Sequence, residues 1–120
     1  MDKVLVDTDV VIEYIKGRLE LGEGVFHISE VTLYELLRGF ADVRKSKELL
    51  EEVFVVVWND NAIITKAAEI YRELRRRGTT ISDADIIIGA TAIVKEMPLW
   101  TRNTRHFDPL KEFGLRLYRP

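Results

Sequence analysis

The chain has no cysteine, which excludes a disulfide framework, a thiolate zinc site and a cysteine nucleophile. Any metal must then be held by oxygen ligands or by the two histidines. His27 and His106 lie far apart without zinc-like spacing, so both read as structural or surface residues. No apolar run approaches a membrane span, and Met1-Asp2-Lys3 leads directly into an apolar strand too short for a signal peptide. A cytoplasmic protein with no membrane partner is expected. There is no excess of positive charge either: Lys+Arg 18 against Asp+Glu 20 leaves a net charge of -2. Bulk attraction cannot hold a polyanion, which must instead be met by local patches. Repeats, low-complexity tracts and linkers are also missing, and 120 residues of which 47% are hydrophobic suffice for one core. One domain over residues 1–120 is expected.

What is present alternates. Val4-Leu5-Val6 reads as a strand ended by Asp7-Thr8-Asp9, after which Val10, Val11, Tyr14 and Ile15 recur at helical spacing. Val25-Phe26-His27-Ile28 is a second strand, and Ser29 caps a helix carrying Leu33, Leu36, Leu37 and Phe40. A charged helix over Val43–Glu52 precedes Val53–Trp58, read as a buried strand. Asn59-Asp60-Asn61 starts a long helix ending at Arg75-Arg76-Arg77-Gly78, where the cations suit the negative helix end. Ser82 caps an Ala-rich helix that stops near Met97-Pro98. Leu99-Trp100-Thr101 and Leu115–Tyr118 read as the last strands, with Trp58 and Trp100 in the core. This order predicts an α/β fold, a mainly parallel sheet of about five short strands covered on both faces, with ligands beyond the strands' carboxyl ends.

Carboxylates converge on that edge. Asp7 and Asp9 end the first strand, Glu35 lies in the second turn of the next unit's helix, and Asp83 and Asp85 begin the Ala-rich helix. Each acid alone has an ordinary role: Asp7 as an N-cap, Glu35 paired with Arg38, Ser82-x-x-Asp85 as a capping box. Together they make a different case. Glu35 shares its helical row with Val31 and Gly39, beside the apolar face, and Asp85 is followed by Ile86-Ile87-Ile88-Gly89-Ala90. Clustered acids in a partly dry edge repel one another and take up protons unless a hard cation neutralises them. Mg2+ or Mn2+ fits such oxygen donors and can activate water against a phosphodiester.

Four blocks in order resemble the PIN-domain family, and within it the VapC-type toxins of VapBC pairs. They are Val4-Leu5-Val6-Asp7-Thr8-Asp9-Val10, Ser29-x-x-Thr32-x-Tyr34-Glu35-Leu36-Leu37-Arg38-Gly39, Asp83-Ala84-Asp85-Ile86-Ile87-Ile88-Gly89-Ala90-Thr91-Ala92, and Leu99-Trp100-Thr101-Arg102-Asn103-Thr104-Arg105-His106-Phe107. The resemblance implies a three-layer α/β/α fold, hydrolysis of RNA to leave a 5′-phosphate, homodimerisation, and inhibition by a VapB-type antitoxin. It makes Asp7, Glu35 and Asp85 the catalytic metal-binding acids. Asp83 is a neighbour that holds a water or caps the helix. Many members carry Asp where this chain has Asn103, and an amide brings no charge to a metal. Asn103 can still ligate through its carbonyl or hold a metal-bound water, with Thr8 and Thr101 as supporting hydroxyls. Arg102 and Arg105, next to that strand end, are expected RNA-backbone contacts, whereas Asp108 reads as an Asp-Pro turn residue.

Two rivals remain open at this level. Val4–Val11 also resembles the nucleophilic strand of haloacid-dehalogenase-like phosphatases, with Asp7 attacking phosphorus and Asp9 as general acid. Against it, Thr101 follows the distal acids instead of preceding them, and no lysine stands in the expected block. A receiver-type phosphoacceptor domain would use Asp7, Asp60 and Thr101, but it leaves Glu35 and Asp85 unexplained.

Overall fold

The computed structural model describes residues 2–120. Four parallel strands, β1 (Lys3–Val6), β2 (Val25–Ser29), β3 (Val55–Val57) and β4 (Leu99–Trp100), lie in the order β3-β2-β1-β4. The helices between them are α1 (Thr8–Ile15), α2 (Glu30–Leu37), α3 (Val43–Val53), α4 (Asn61–Arg76) and α5 (Asp83–Val94), followed by α6 (Thr104–Phe107) and a 3-10 segment, Asp108–Phe113. Among the described residues no helix is long and apolar enough to cross a membrane.

Because side chains alternate across a strand, each central strand feeds two cores. Leu5 and Leu99 pack with α4 and α5 through Ile63, Ile70, Leu74 and Ile88. Val4, Val6 and Trp100 pack on the other face with Val10, Val11, Leu33, Leu36 and Phe54. Two apolar layers on one sheet make the expected three-layer sandwich. The α5 side is tight at Gly89, where a Cβ would overlap Leu110 Cδ2 of the 3-10 segment. A larger residue would push α5 from its seat.

The sheet differs from expectation at both margins. Leu115–Tyr118 does not form a full fifth strand. It contributes an isolated parallel bridge, Leu99 with Leu117, through Leu99 N–H to Arg116 O at 2.9 Å and Tyr118 N–H to Leu99 O at 2.8 Å. Its would-be partner β4 is itself only two residues long, so there is no ladder to extend. At the other margin, α3 continues through Val53 and Phe54 N–H bonds back to Leu50 O at 2.8 Å, shortening the strand to Val55–Val57. With β2 as its sole neighbour, β3 is an edge and not the expected buried strand. Val55 is 50% and Trp58 53% exposed, so of the tryptophans expected in the core Trp100 alone is there.

Candidate active site

Parallel pairing delivers the ends of β1 and β4 side by side, with Val6 opposite Trp100. Asp7, the next residue, is the N-cap of α1. Its Oδ1 accepts from Thr8 N–H at 2.8 Å and its Oδ2 from Thr101 Oγ1 at 2.8 Å. Only 6% of Asp7 is exposed. Burial, and then the charge of Asp9, push its carboxyl up to about 6; the hydrogen bonds from Thr101 and Thr8 pull the other way, and Asp85 adds a further upward push. Asp7 therefore feels the charges of both Asp9 and Asp85.

Glu35 is reached by a hydroxyl relay. Fully buried Thr32 lies 2.9 Å from Thr8 Oγ1, which lies 2.8 Å from Glu35 Oε1. Thr8 has one hydroxyl proton, so Thr32 donates to Thr8 while Thr8 donates to the carboxylate. Glu35 Oε2 accepts no described hydrogen bond. At α5, Ser82 Oγ at 3.0 Å and His106 Nε2 at 2.8 Å both reach Asp85 Oδ2. An ionised carboxylate only accepts, so His106 donates from Nε2, and Asp85 Oδ1 is left without a described partner.

The remaining expected residues divide. Asp83 is exposed and makes no described hydrogen bond. Asn103 is exposed at the start of α6, where its side chain caps nothing; its N–H donates to Thr101 Oγ1 at 3.0 Å, tying it to the hydroxyl that serves Asp7. Arg102, expected at the RNA backbone, is engaged within the fold. Its guanidinium reaches Glu13 Oε1 at 2.6 Å and its N–H reaches Asp9 Oδ2 at 3.2 Å, so it braces α1 while its side chain stays largely exposed. Arg105 is exposed and has no carboxylate partner among the described residues.

His106 and Asp9 carry more of this site than the sequence reading gave them. His106 has no zinc-like spacing to His27, yet it sits in the same post-β4 segment as Asn103 and meets Asp85. Asp9 Oδ1 is buried and unpartnered. The arginine cluster is structural, as expected: Arg76 and Arg77 pair with Glu73, Arg77 also reaches Glu112, and Arg75 reaches Tyr71 Oη. Asp60 is committed to capping α4 through Ile63 N–H at 2.9 Å and to Lys95 Nζ at 2.7 Å, which disfavours a phosphoacceptor role.

The donors fit a hard divalent cation, being oxygens whose mutual repulsion a positive charge would relieve, with one buried oxygen lacking any partner. No three His, Asp or Glu side chains among the described residues are close enough to form a ready cage. The fit is therefore to an ion held by a few carboxylates with waters filling the remaining positions, as is usual for magnesium.

The comparisons agree with this fold. The family model described as PIN domain matches residues 4–112. Ribonuclease VapC1 of Methanocaldococcus jannaschii is 45% identical over 97% of this chain and 87% of its own length. Among solved structures, VapBC-1 from nontypeable Haemophilus influenzae superposes with a TM-score of 0.82 at 22% identity, covering 97% of this chain and 96% of that one. The DNA-bound VapBC from Salmonella typhimurium gives a TM-score of 0.76 at 26% identity and 98% coverage of both chains.

Proposed function

The chain belongs to the PIN-domain family, in its VapC ribonuclease branch, and from that premise we propose that the carboxyl edge of its sheet hydrolyses RNA as the toxin of a toxin–antitoxin pair. The observation that carries the proposal is buried Asp7, clamped between α1 and β4 and held up to about 6 by burial and neighbouring acids. A cation at this edge would relieve the repulsion that Asp9 and Asp85 exert on buried Asp7. Asp7, Glu35 and Asp85 are the residues that would hold Mg2+ or Mn2+, with Asp83 and Asn103 at the margin, and such an ion would supply Lewis acidity for hydrolysis of a phosphodiester.

The protein's part is positioning. Thr101 and the Thr8 N–H fix both oxygens of Asp7, the Thr32–Thr8 relay fixes one oxygen of Glu35, and Ser82 with His106 fixes one oxygen of Asp85. Each acid thus enters the reaction with its rotamer set. Arg105 meets the RNA backbone. Similarity to proteins solved as VapBC complexes supports a VapB-type antitoxin as partner and inhibitor, and the reading includes a homodimer and a cytoplasmic place of action. The haloacid-dehalogenase-like and receiver readings have no comparable support.

The test is magnesium-dependent cleavage of a mixed structured and single-stranded RNA pool by the purified protein, beside folded Asp7→Asn, Glu35→Gln and Asp85→Asn variants. Loss of cleavage in all three, and on chelation, is the expected result. Wild-type rates in all three would overturn the assignment.

A further inference from the structure

The arginines that end α4 are not equivalent. Arg76 is held by Glu73 at 3.0 Å, and Arg77 by Glu73 and Glu112, so their charges are answered within the fold. Arg75 pairs with no carboxylate among the described residues. Its Nη1 donates to the neutral Tyr71 Oη at 3.0 Å, a contact that places the guanidinium and leaves its charge uncompensated. Both residues line a cavity of about 200 Å3 between the end of α4 and the start of α5, several times the roughly 30 Å3 that one water occupies.

No carboxylate borders this cavity, and its polar side chains are Tyr71, Arg75, Thr79 and Thr80. Tyr71 accepts from Arg75 and so keeps its own hydroxyl proton to give; the Thr79 and Thr80 hydroxyls have no described partner. Carbonyls at the end of α4 that would repel an anion are already occupied: Leu74 O accepts the Thr79 N–H at 2.8 Å, and Arg75 O the Gly78 N–H at 3.0 Å. Donors gathered around an uncompensated cation suit a ligand of negatively charged acceptor oxygens, and a phosphate group is such a ligand. The cavity also borders the acidic edge. Asp60, before α4, is tied to Lys95, after α5, at 2.7 Å, so the two helices run antiparallel and the far end of α4 lies beside the turn of α5 that carries Asp85. Ile86, next to Asp85, walls the cavity, and Ser82, two residues beyond Thr80, bonds to Asp85. A chain of net charge -2 must meet a polyanion through local cations.

We propose that this cavity is a phosphate subsite, in which Arg75, with Tyr71 and the two threonine hydroxyls, holds a backbone phosphate of the RNA flanking the one that is cut. The inference rests on the ribonuclease reading above and adds to it a binding contact outside the acids.

The experiment follows binding of a fluorescein-labelled single-stranded RNA by anisotropy over a range of salt, using the full chain in Mg2+ on an Asp7→Asn background so that nothing is cleaved. That parent is compared with the added changes Arg75→Ala, Arg75→Lys and Arg76→Ala, each checked for folding by circular dichroism. Arg75→Ala is expected to bind severalfold more weakly and to lower the slope of log K against log salt by about 0.7, one phosphate's worth on a single strand. Arg75→Lys is expected to keep the slope, and Arg76→Ala to match the parent. A slope unchanged in Arg75→Ala, or lowered equally in Arg76→Ala, overturns the proposal and leaves the ribonuclease reading in place. A second arm titrates the wild type with inorganic phosphate and follows the Gly78, Thr79 and Thr80 amides by nuclear magnetic resonance. Saturable shifts that vanish in Arg75→Ala are expected; the same shifts beside an unchanged RNA slope would assign the cavity to free phosphate and overturn its role toward RNA. A parent that binds no RNA at any salt overturns the ribonuclease reading and this proposal together.

Discussion

Thr101 Oγ1 donates to Asp7 Oδ2 at 2.8 Å, joining residues 94 positions apart across the ends of two neighbouring strands. The contact is buried at both partners, with Thr101 7% and Asp7 6% exposed. It is also one of the influences that hold the Asp7 carboxyl down against desolvation. Thr101→Val therefore moves Asp7 further above about 6 and frees its rotamer. The expected outcome is an activity loss of about tenfold at neutral pH with the acid limb of the pH–rate profile shifted upward. Thr101→Ser retains both. A Val variant with an unchanged profile would show that the hydroxyl only packs.

Metal-free stability follows Asp7 in a definite direction. Its folded-state value of about 6 lies above the ordinary carboxyl value of 3.8, so between these the folded chain binds more protons than the unfolded one. Stability falls as pH rises through this window and is regained on acidification from 7 toward 4. Burial this deep makes the full effect roughly 3 kcal/mol. Asp7→Asn removes the dependence, so the melting-temperature difference between wild type and Asp7→Asn in chelator should favour the variant at pH 7 and shrink at pH 4.5. Saturating Mg2+ should flatten the wild-type curve, since the ion replaces the proton.

How far the sequence disclosed this site depended on distance along the chain. Asp7, Glu35 and Asp85 can be singled out because each accompanies a local signal: a strand end, a capped helix, an apolar run behind a capping box. The alternation of strands and helices that makes the sheet parallel was legible for the same reason. Val53–Trp58 was not, because its apolar composition carries no information about neighbours, and an edge strand looks like a central one until the sheet is assembled. His106 was passed over because metal spacing was sought between histidines, whereas its partner is an aspartate 21 positions away. Arg102 looked available until the fold supplied Glu13, 89 positions away.

The seat of α5 can be tested apart from the chemistry. At Gly89 a methyl would meet Leu110, which is fully buried. Helix propensity favours alanine by about 1 kcal/mol, while overpacking costs about 1–3 kcal/mol. Gly89→Ala is expected to lower stability by roughly 1 kcal/mol and, by shifting the helix that carries Asp85, to reduce cleavage. Denaturant unfolding checks the first part. If the variant is more stable than wild type, Leu110 yields freely and the helix is not tightly seated.

Arg102 and Arg105, three positions apart, should separate in their response to salt. Arg105 is exposed with no described carboxylate partner, so its charge is available to a phosphate. Arg102 is held by Glu13, and withdrawing it for RNA would leave that carboxylate only its longer pair with Arg18, at 3.8 Å. Arg105→Ala is expected to weaken binding of a single-stranded RNA and to reduce the slope of log K against log salt by about 0.7, one phosphate's worth. Arg102→Ala should change the slope little while loosening the α1–β4 junction, seen as faster amide exchange at Glu13 and Asn103. An equal slope change in both variants would mean that RNA displaces Glu13 from Arg102 on binding, and that the ion pair stores a contact for the bound state.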